Sequence, residues 1–161
     1  GEYYIFITTT VASRERNLNR KKLEEARQKG YKAFSYVHPA AFVAHSVEIH
    51  ENVFIFPHAV VEPRAKLNEG VILRSAAYVS HETEIGAFSY IAPRVAFSGK
   101  VKTGKNCFFG TNATIRDRVT IGNDVIVGAG SVVLKNLPDE TVLKAPESKI
   151  IPVNRFDIKL S

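Results

Sequence analysis

Two columns of residues recurring every six positions predict an all-β chain: a left-handed parallel β-helix of about five coils, preceded by a short strand-helix-strand unit. The first column runs Val43, Ile49, Ile55, Val61 and onward to Val127 and Val133, and of its sixteen positions only Thr103 is polar. The second stands two residues earlier, from Ala41, Val47 and Val53 to Val125 and Ser131, and every member is small or β-branched, Cys107 counting as small. No insertion breaks either column. An α-helix would instead place apolar residues three and four apart. Six is a multiple of the strand period of two, so each hexad holds a short strand and a corner. Three such strands close a triangle, and successive triangles stack about 4.8 Å apart. The bulky column fills the interior and the small column leaves it room.

The segment before this repeat reads differently. Tyr3 to Thr9 is rich in β-branched and aromatic residues and reads as a strand. Ser13 can cap a helix running to about Lys29, with Leu18, Leu23 and Ala26 on its inner side and Gly30 as its stop. Ala33 to Val37 resembles a second strand, closed by His38-Pro39. The expected organisation is a partial α/β unit over residues 1–40, the β-helix over 41–135 and a tail rich in charge and proline over 136–161.

Composition narrows the function classes. The chain has 161 residues, 45% of them hydrophobic, and no apolar run approaching the roughly 18 residues of a membrane span. Its first residues carry no basic leader or small-residue cleavage site, so no signal peptide is expected. A single cysteine makes no internal disulfide and fits a reducing, cytoplasmic setting. The net charge is +6, but the basic residues are scattered, and the densest stretch, Arg14 to Lys32, is interleaved with Glu15, Glu24 and Glu25. That is the pattern of a solvated helix face, so no nucleic-acid partner is expected. The excess positive charge suits a small phosphorylated ligand.

Residues eighteen apart share a column along the prism, and one column contains His45, Pro63, His81, Gly99, Asp117 and Lys135. A histidine with a glycine one coil on puts a base beside an accessible backbone N–H, the pairing that acyl transfer needs. Glu82 follows His81, and a neighbouring carboxylate can fix the imidazole tautomer and stabilise its charged form. The same spacing also fits a solvated corner histidine. Two coils separate His45 from His81, about 9.6 Å, too far to share one metal in a single chain. A site bridging subunits, as in trimeric β-helical carbonic anhydrases, is the metal-dependent alternative; no metal is expected. Cys107, in the small inward column, reads as packing rather than a nucleophile.

From His38-Pro39-Ala40-Ala41 to Pro146 the sequence resembles the hexapeptide-repeat acyltransferases of bacterial surface-polysaccharide pathways. Within these it is most similar to sugar acetyltransferases of the sialic-acid O-acetyltransferase and bacillosamine-type N-acetyltransferase group. The segments that carry the likeness are Val79-Ser80-His81-Glu82-Thr83-Glu84-Ile85-Gly86, Phe97-Ser98-Gly99-Lys100-Val101, Cys107 to Ile115 and Ile121 to Val133. The helical start leading into Tyr31 to Tyr36 is similar to the latter part of that group's N-terminal domain. The resemblance implies a homotrimer with acetyl-CoA as co-substrate in the grooves between prisms and a sugar or nucleotide-sugar acceptor. It implies His81 as base and the Gly99 N–H as donor to the thioester carbonyl. The pantetheine arm would pass Gly99 and Asp117 of one subunit, with Thr111 and Ala129 of the next as the opposite wall. Lys135, with Lys144 or Lys149, would meet the coenzyme phosphates. Arg74 and Tyr78 replace other residues around the acceptor pocket of that group, and Arg74 could meet a sugar-nucleotide phosphate. The glycine-rich turn of the group's nucleotide-sugar-binding domain is not in this stretch, and Lys144-Ala145-Pro146-Glu147 stands where many relatives carry Gly-x-Pro-Ala. The expected activity is acetyl transfer to an amino sugar. O-acetylation of a sugar hydroxyl and a non-catalytic β-helical trimer are the rivals.

Overall fold

The computed structural model describes residues 3–7 and 18–148. Among them, every strand that pairs does so in parallel, and the solenoid strands form three sheets of six, five and seven strands. Partners stand eighteen residues apart, as in Tyr78↔Ala96 and Ile91↔Phe109. This is the triangular, left-handed β-helix that the six-residue period requires. The second residue of each strand points inward: Ile55, Leu67, Leu73, Ile85, Ile91, Phe97, Phe109 and Ile115 are fully buried. The small column is buried beside them, from Val53 and Ala59 to Val125 and Ser131. The one polar member of the bulky column has a partner: the Thr103 hydroxyl accepts the Gly86 N–H at 2.9 Å. Buried Thr83 and Ser89 likewise accept the N–H groups of Val101 and Cys107, whereas the buried Ser131 hydroxyl has no partner among the described residues.

The corners carry a third period that the residue types conceal. Positive φ recurs every six residues from Asn52 to Asp124, at Ala76, Phe88, Arg94 and Arg118 as much as at the asparagines, with Gly70 and Gly130 in phase. A non-glycine residue in this region costs about 1–2 kcal/mol. The stack imposes the conformation, because from His58 onward these corner N–H groups donate to the coil before, as Lys100 does to His81 O at 2.9 Å and Arg118 to Gly99 O at 3.0 Å.

The parallel ladder extends past the repeat read from the sequence at both ends. Tyr36–Val37 pairs with Phe54–Ile55, and Val142–Leu143 pairs with Ile126–Val127. The expected strand Ala33 to Val37 is therefore two strands: Lys32–Ala33 pairs with Tyr4–Ile5, while Tyr36–Val37 is captured by the solenoid. Between the first pair lies a helix, Leu18–Gln28, which buries Leu23 and Ala26 and stops at Gly30, φ +82°. The expected Ser13 cap lies outside the described residues. Asn52 ties this unit to the prism, accepting the Ile7 N–H at 2.8 Å and donating to Ile7 O at 2.9 Å. Arg27 on the helix pairs with Glu51 and Glu69 of the first coils. No helix among the described residues is long and apolar enough to cross a membrane.

Candidate active site

The column Pro63, His81, Gly99, Asp117 is stacked by the corner hydrogen bonds, so imidazole and glycine are neighbours across one coil. Their approach is closer than the spacing alone implies. A Cβ built on Gly99 would lie 2.5 Å from His81 Nε2 and 2.7 Å from Cε1. The ring thus lies over the bare Cα of Gly99, which only glycine permits. The Gly99 N–H has no acceptor among the described residues. A ring nitrogen and an unspent N–H donor therefore share one half-open corner, with the His81 side chain 48% exposed.

Glu82 stands 3.5 Å from His81 Nδ1, ion-pair range rather than a tight hydrogen bond. Its carboxylate also takes Arg64 at 2.7 Å and lies 3.6 Å from Lys100. The Arg64 hydrogen bond is the first cause holding the Glu82 carboxyl below the usual carboxylate range. Glu82 is thus shared between the imidazole and two cations.

A second carboxylate, unforeseen from the sequence, lies one coil before the histidine. Glu62 accepts the His81 backbone N–H at 2.9 Å, the Ser80 hydroxyl at 2.5 Å and the Tyr78 hydroxyl. These donors, Ser80 first, hold its carboxyl below the usual carboxylate range, and the nearby imidazole adds to the effect. The available signal was the eighteen-residue step from Ser80 back to Glu62. Tyr78, expected at the acceptor pocket, belongs to this network.

Further along the column, Asp117 and Lys135 line one cleft of about 510 Å³ with Arg116, Arg118, Val119 and Asn136. Its three cations and one carboxylate suit a polyphosphate better than an apolar group, and Asp117 is itself paired with Arg118 at 3.0 Å. Lys144 is exposed, and Lys149 lies outside the described residues. Thr111 and Ala129 are exposed on a different corner, where Gly130 N donates to Thr111 O at 2.9 Å. Arg74 lies 4.2 Å over the Phe56 ring, and its Nε is buried without a partner. No hydrogen bond or ion pair links Arg74 to His81. Cys107 is buried, and burial pushes its thiol up to about 11. Among the described residues no three His, Cys, Asp or Glu side chains cluster to hold a metal.

Known proteins share this build. Residues 100–135 match the family described as bacterial transferase hexapeptide (six repeats). PerB, the perosamine N-acetyltransferase of Caulobacter crescentus, solved with CoA and GDP-perosamine, is similar at a TM-score of 0.80 and 32% identity, over 87% of this chain and 66% of that one. The acetyltransferase domain of PglB from Neisseria gonorrhoeae, solved with acetyl coenzyme A, is similar at 0.77 and 34%, over 83% of this chain and 65% of that one. WbbJ of Escherichia coli K12, named for lipopolysaccharide biosynthesis O-acetyl transfer, is 37% identical over 67 residues, 42% of this chain and 34% of that one. The chain spans about a third of that curated relative's length and just under two thirds of the solved chains.

Proposed function

Taking the chain as a hexapeptide-repeat protein with this corner, we propose that it transfers an acetyl group from acetyl-CoA to a nucleotide-linked amino sugar. The observation that carries the reading is the contact of the His81 ring with Gly99, whose N–H is unspent. In this reading His81 takes a proton from the acceptor amine as its nitrogen attacks the thioester carbonyl. The Gly99 N–H donates to the oxygen on which charge develops. Collapse forms the amide and breaks the carbon–sulfur bond, and CoA leaves as its thiol, taking up a proton. Glu82 supports the imidazolium while Arg64 and Lys100 hold that carboxylate. The cleft at Asp117 and Lys135 takes the coenzyme phosphates, and the cytoplasm supplies the donor.

The complete site requires a trimer in this account. Thr111 and Ala129 stack on a corner away from His81, so they reach the pantetheine arm only from a neighbouring prism. The surfaces support that packing. The six-stranded sheet points Phe42, Val60, Tyr78, Ala96, Thr114 and Val132 outward, an uncharged column with Phe42 61% and Val132 58% exposed. The five-stranded sheet points Glu48, Lys66, Glu84 and Lys102 outward, a charged ladder suited to water. Arg74 and Tyr78 are the acceptor-side residues of this reading.

The similarity to WbbJ favours a second reading within the same chemistry, with a sugar hydroxyl as acceptor. One experiment tests both: nucleotide sugars and free sugars incubated with acetyl-CoA, with products read by mass spectrometry. An acetylated amino sugar with stoichiometric free CoA is expected. Acetyl esters alone select the second reading. No product, together with no rise in Tm as acetyl-CoA is added, leaves a non-catalytic trimer, since a bound coenzyme at a hundredfold its Kd stabilises by about 2.7 kcal/mol.

A further inference from the structure

We infer that Glu62 is a positioning residue for His81, holding the base in place from the preceding coil; this rests on the acetyl-transfer reading above. His81 sits at an exposed corner, so its side chain is not fixed by burial. Its ring is bounded by Gly99 on one side and by the shared carboxylate of Glu82 on the other. What holds the residue is its backbone. The carbonyl accepts from Lys100 N at 2.9 Å, as the corner pattern of the repeat dictates. The N–H has no such generic partner: one coil on, the equivalent N–H of Gly99 is unspent. At His81 that donor is taken by Glu62 Oε2 at 2.9 Å.

The same carboxylate gathers the residues immediately before the base. Ser80 donates to Oε2 and Tyr78 to Oε1, so one side chain ties down Tyr78, Ser80 and the His81 N–H together. Glu62 and Glu82 also differ in kind. Glu82 is neutralised by Arg64 and Lys100, whereas every hydrogen-bond donor to Glu62 is uncharged. A charge-assisted bond to an amide is stronger than a neutral one, so the His81 N–H is the best anchored in its column. Positional error is costly at such a site: a displacement of about 1 Å can lower turnover about 10²-fold.

The test compares the full chain with Glu62→Gln and Glu62→Ala by steady-state acetyl transfer, Tm and the His81 amide resonance. Glutamine keeps an acceptor for the N–H; alanine removes it. For Glu62→Ala, kcat is expected to fall about 10–100-fold with KM for acetyl-CoA within about twofold, and Glu62→Gln to recover most of the loss. The His81 amide proton should move upfield in both variants, further in alanine. Unchanged kcat in Glu62→Ala, a loss that glutamine does not recover, or an unmoved His81 amide in both variants overturns the assignment. Should Glu62→Ala not fold, the amide shift in Glu62→Gln decides. Failure of the wild type to transfer acetyl to any acceptor is a separate outcome: it removes the functional reading, while the amide shift still reports the Glu62 bond.

Discussion

Gly99→Ala is the substitution whose consequence follows most directly from the geometry. The new Cβ would stand 2.5 Å from His81 Nε2, 2.7 Å from Cε1 and 3.2 Å from Cδ2. Ordinary contact between such atoms is about 3.5 Å, so the ring must retreat by about 1 Å. The backbone of residue 99 is not in the left-handed region, and alanine strains nothing there. The imidazole is about half exposed and can swing toward solvent, so stability should change by less than about 1 kcal/mol, roughly 2–4 °C in Tm for a chain of this size. Turnover is another matter. The N–H that meets the carbonyl oxygen is still present, but the base has moved, and kcat should drop about 10–100-fold with KM for acetyl-CoA little changed. Steady-state kinetics beside a thermal melt decides it. Wild-type kcat in Gly99→Ala would refute the claim that this glycine exists to admit the ring. So would a collapse of Tm large enough to explain the lost activity.

Other expectations follow from the same packing. Gly70 is buried with φ +70°, and a Cβ there would meet the Phe88 ring, so Gly70→Ala should destabilise by about 1–3 kcal/mol in a denaturant melt without altering kcat. The Ser80, Tyr78 and His81 donors hold the folded Glu62 carboxyl below the usual carboxylate range, so its contribution to stability is present above the unfolded carboxylate value of about 4.3. That contribution is lost as pH falls through the folded value, and Glu62→Gln should flatten the acid limb of a stability–pH curve. With its thiol at about 11 and buried, Cys107 should resist a disulfide reagent at neutral pH while the chain is folded and react at once in denaturant. Rapid labelling of the native protein would contradict the packing role.

The solenoid was legible because its information is periodic. Two columns in phase over sixteen hexads leave no other fold that buries them. His81 and Gly99 were legible for the same reason, since the eighteen-residue coil brings them together without knowledge of side chains. The corners were not. Ala76, Phe88 and Arg118 take positive φ because the ladder demands it, and their identities give no notice. Glu62 stands in the column of Ser80, yet its value depends on which way its carboxylate turns, and spacing carries no such information. Arg64 escaped notice similarly: its guanidinium reaches one coil forward to Glu82. The split of the expected strand at Phe34-Ser35 reflects competition between two sheets, as the solenoid edge at Phe54–Ile55 takes the second half. Tertiary pairing overrode local propensity there.

The central claim is that the imidazole of His81 takes the acceptor's proton beside the Gly99 N–H. Its most direct measurement is kcat for acetyl transfer to the best nucleotide-sugar acceptor by His81→Ala, with oligomeric state and acetyl-CoA affinity measured on the same sample. A positioned base contributes about 10²–10⁴-fold, so the variant should lose at least tenfold in kcat while still assembling and binding the coenzyme. Near-normal turnover by His81→Ala would remove the histidine from the reaction.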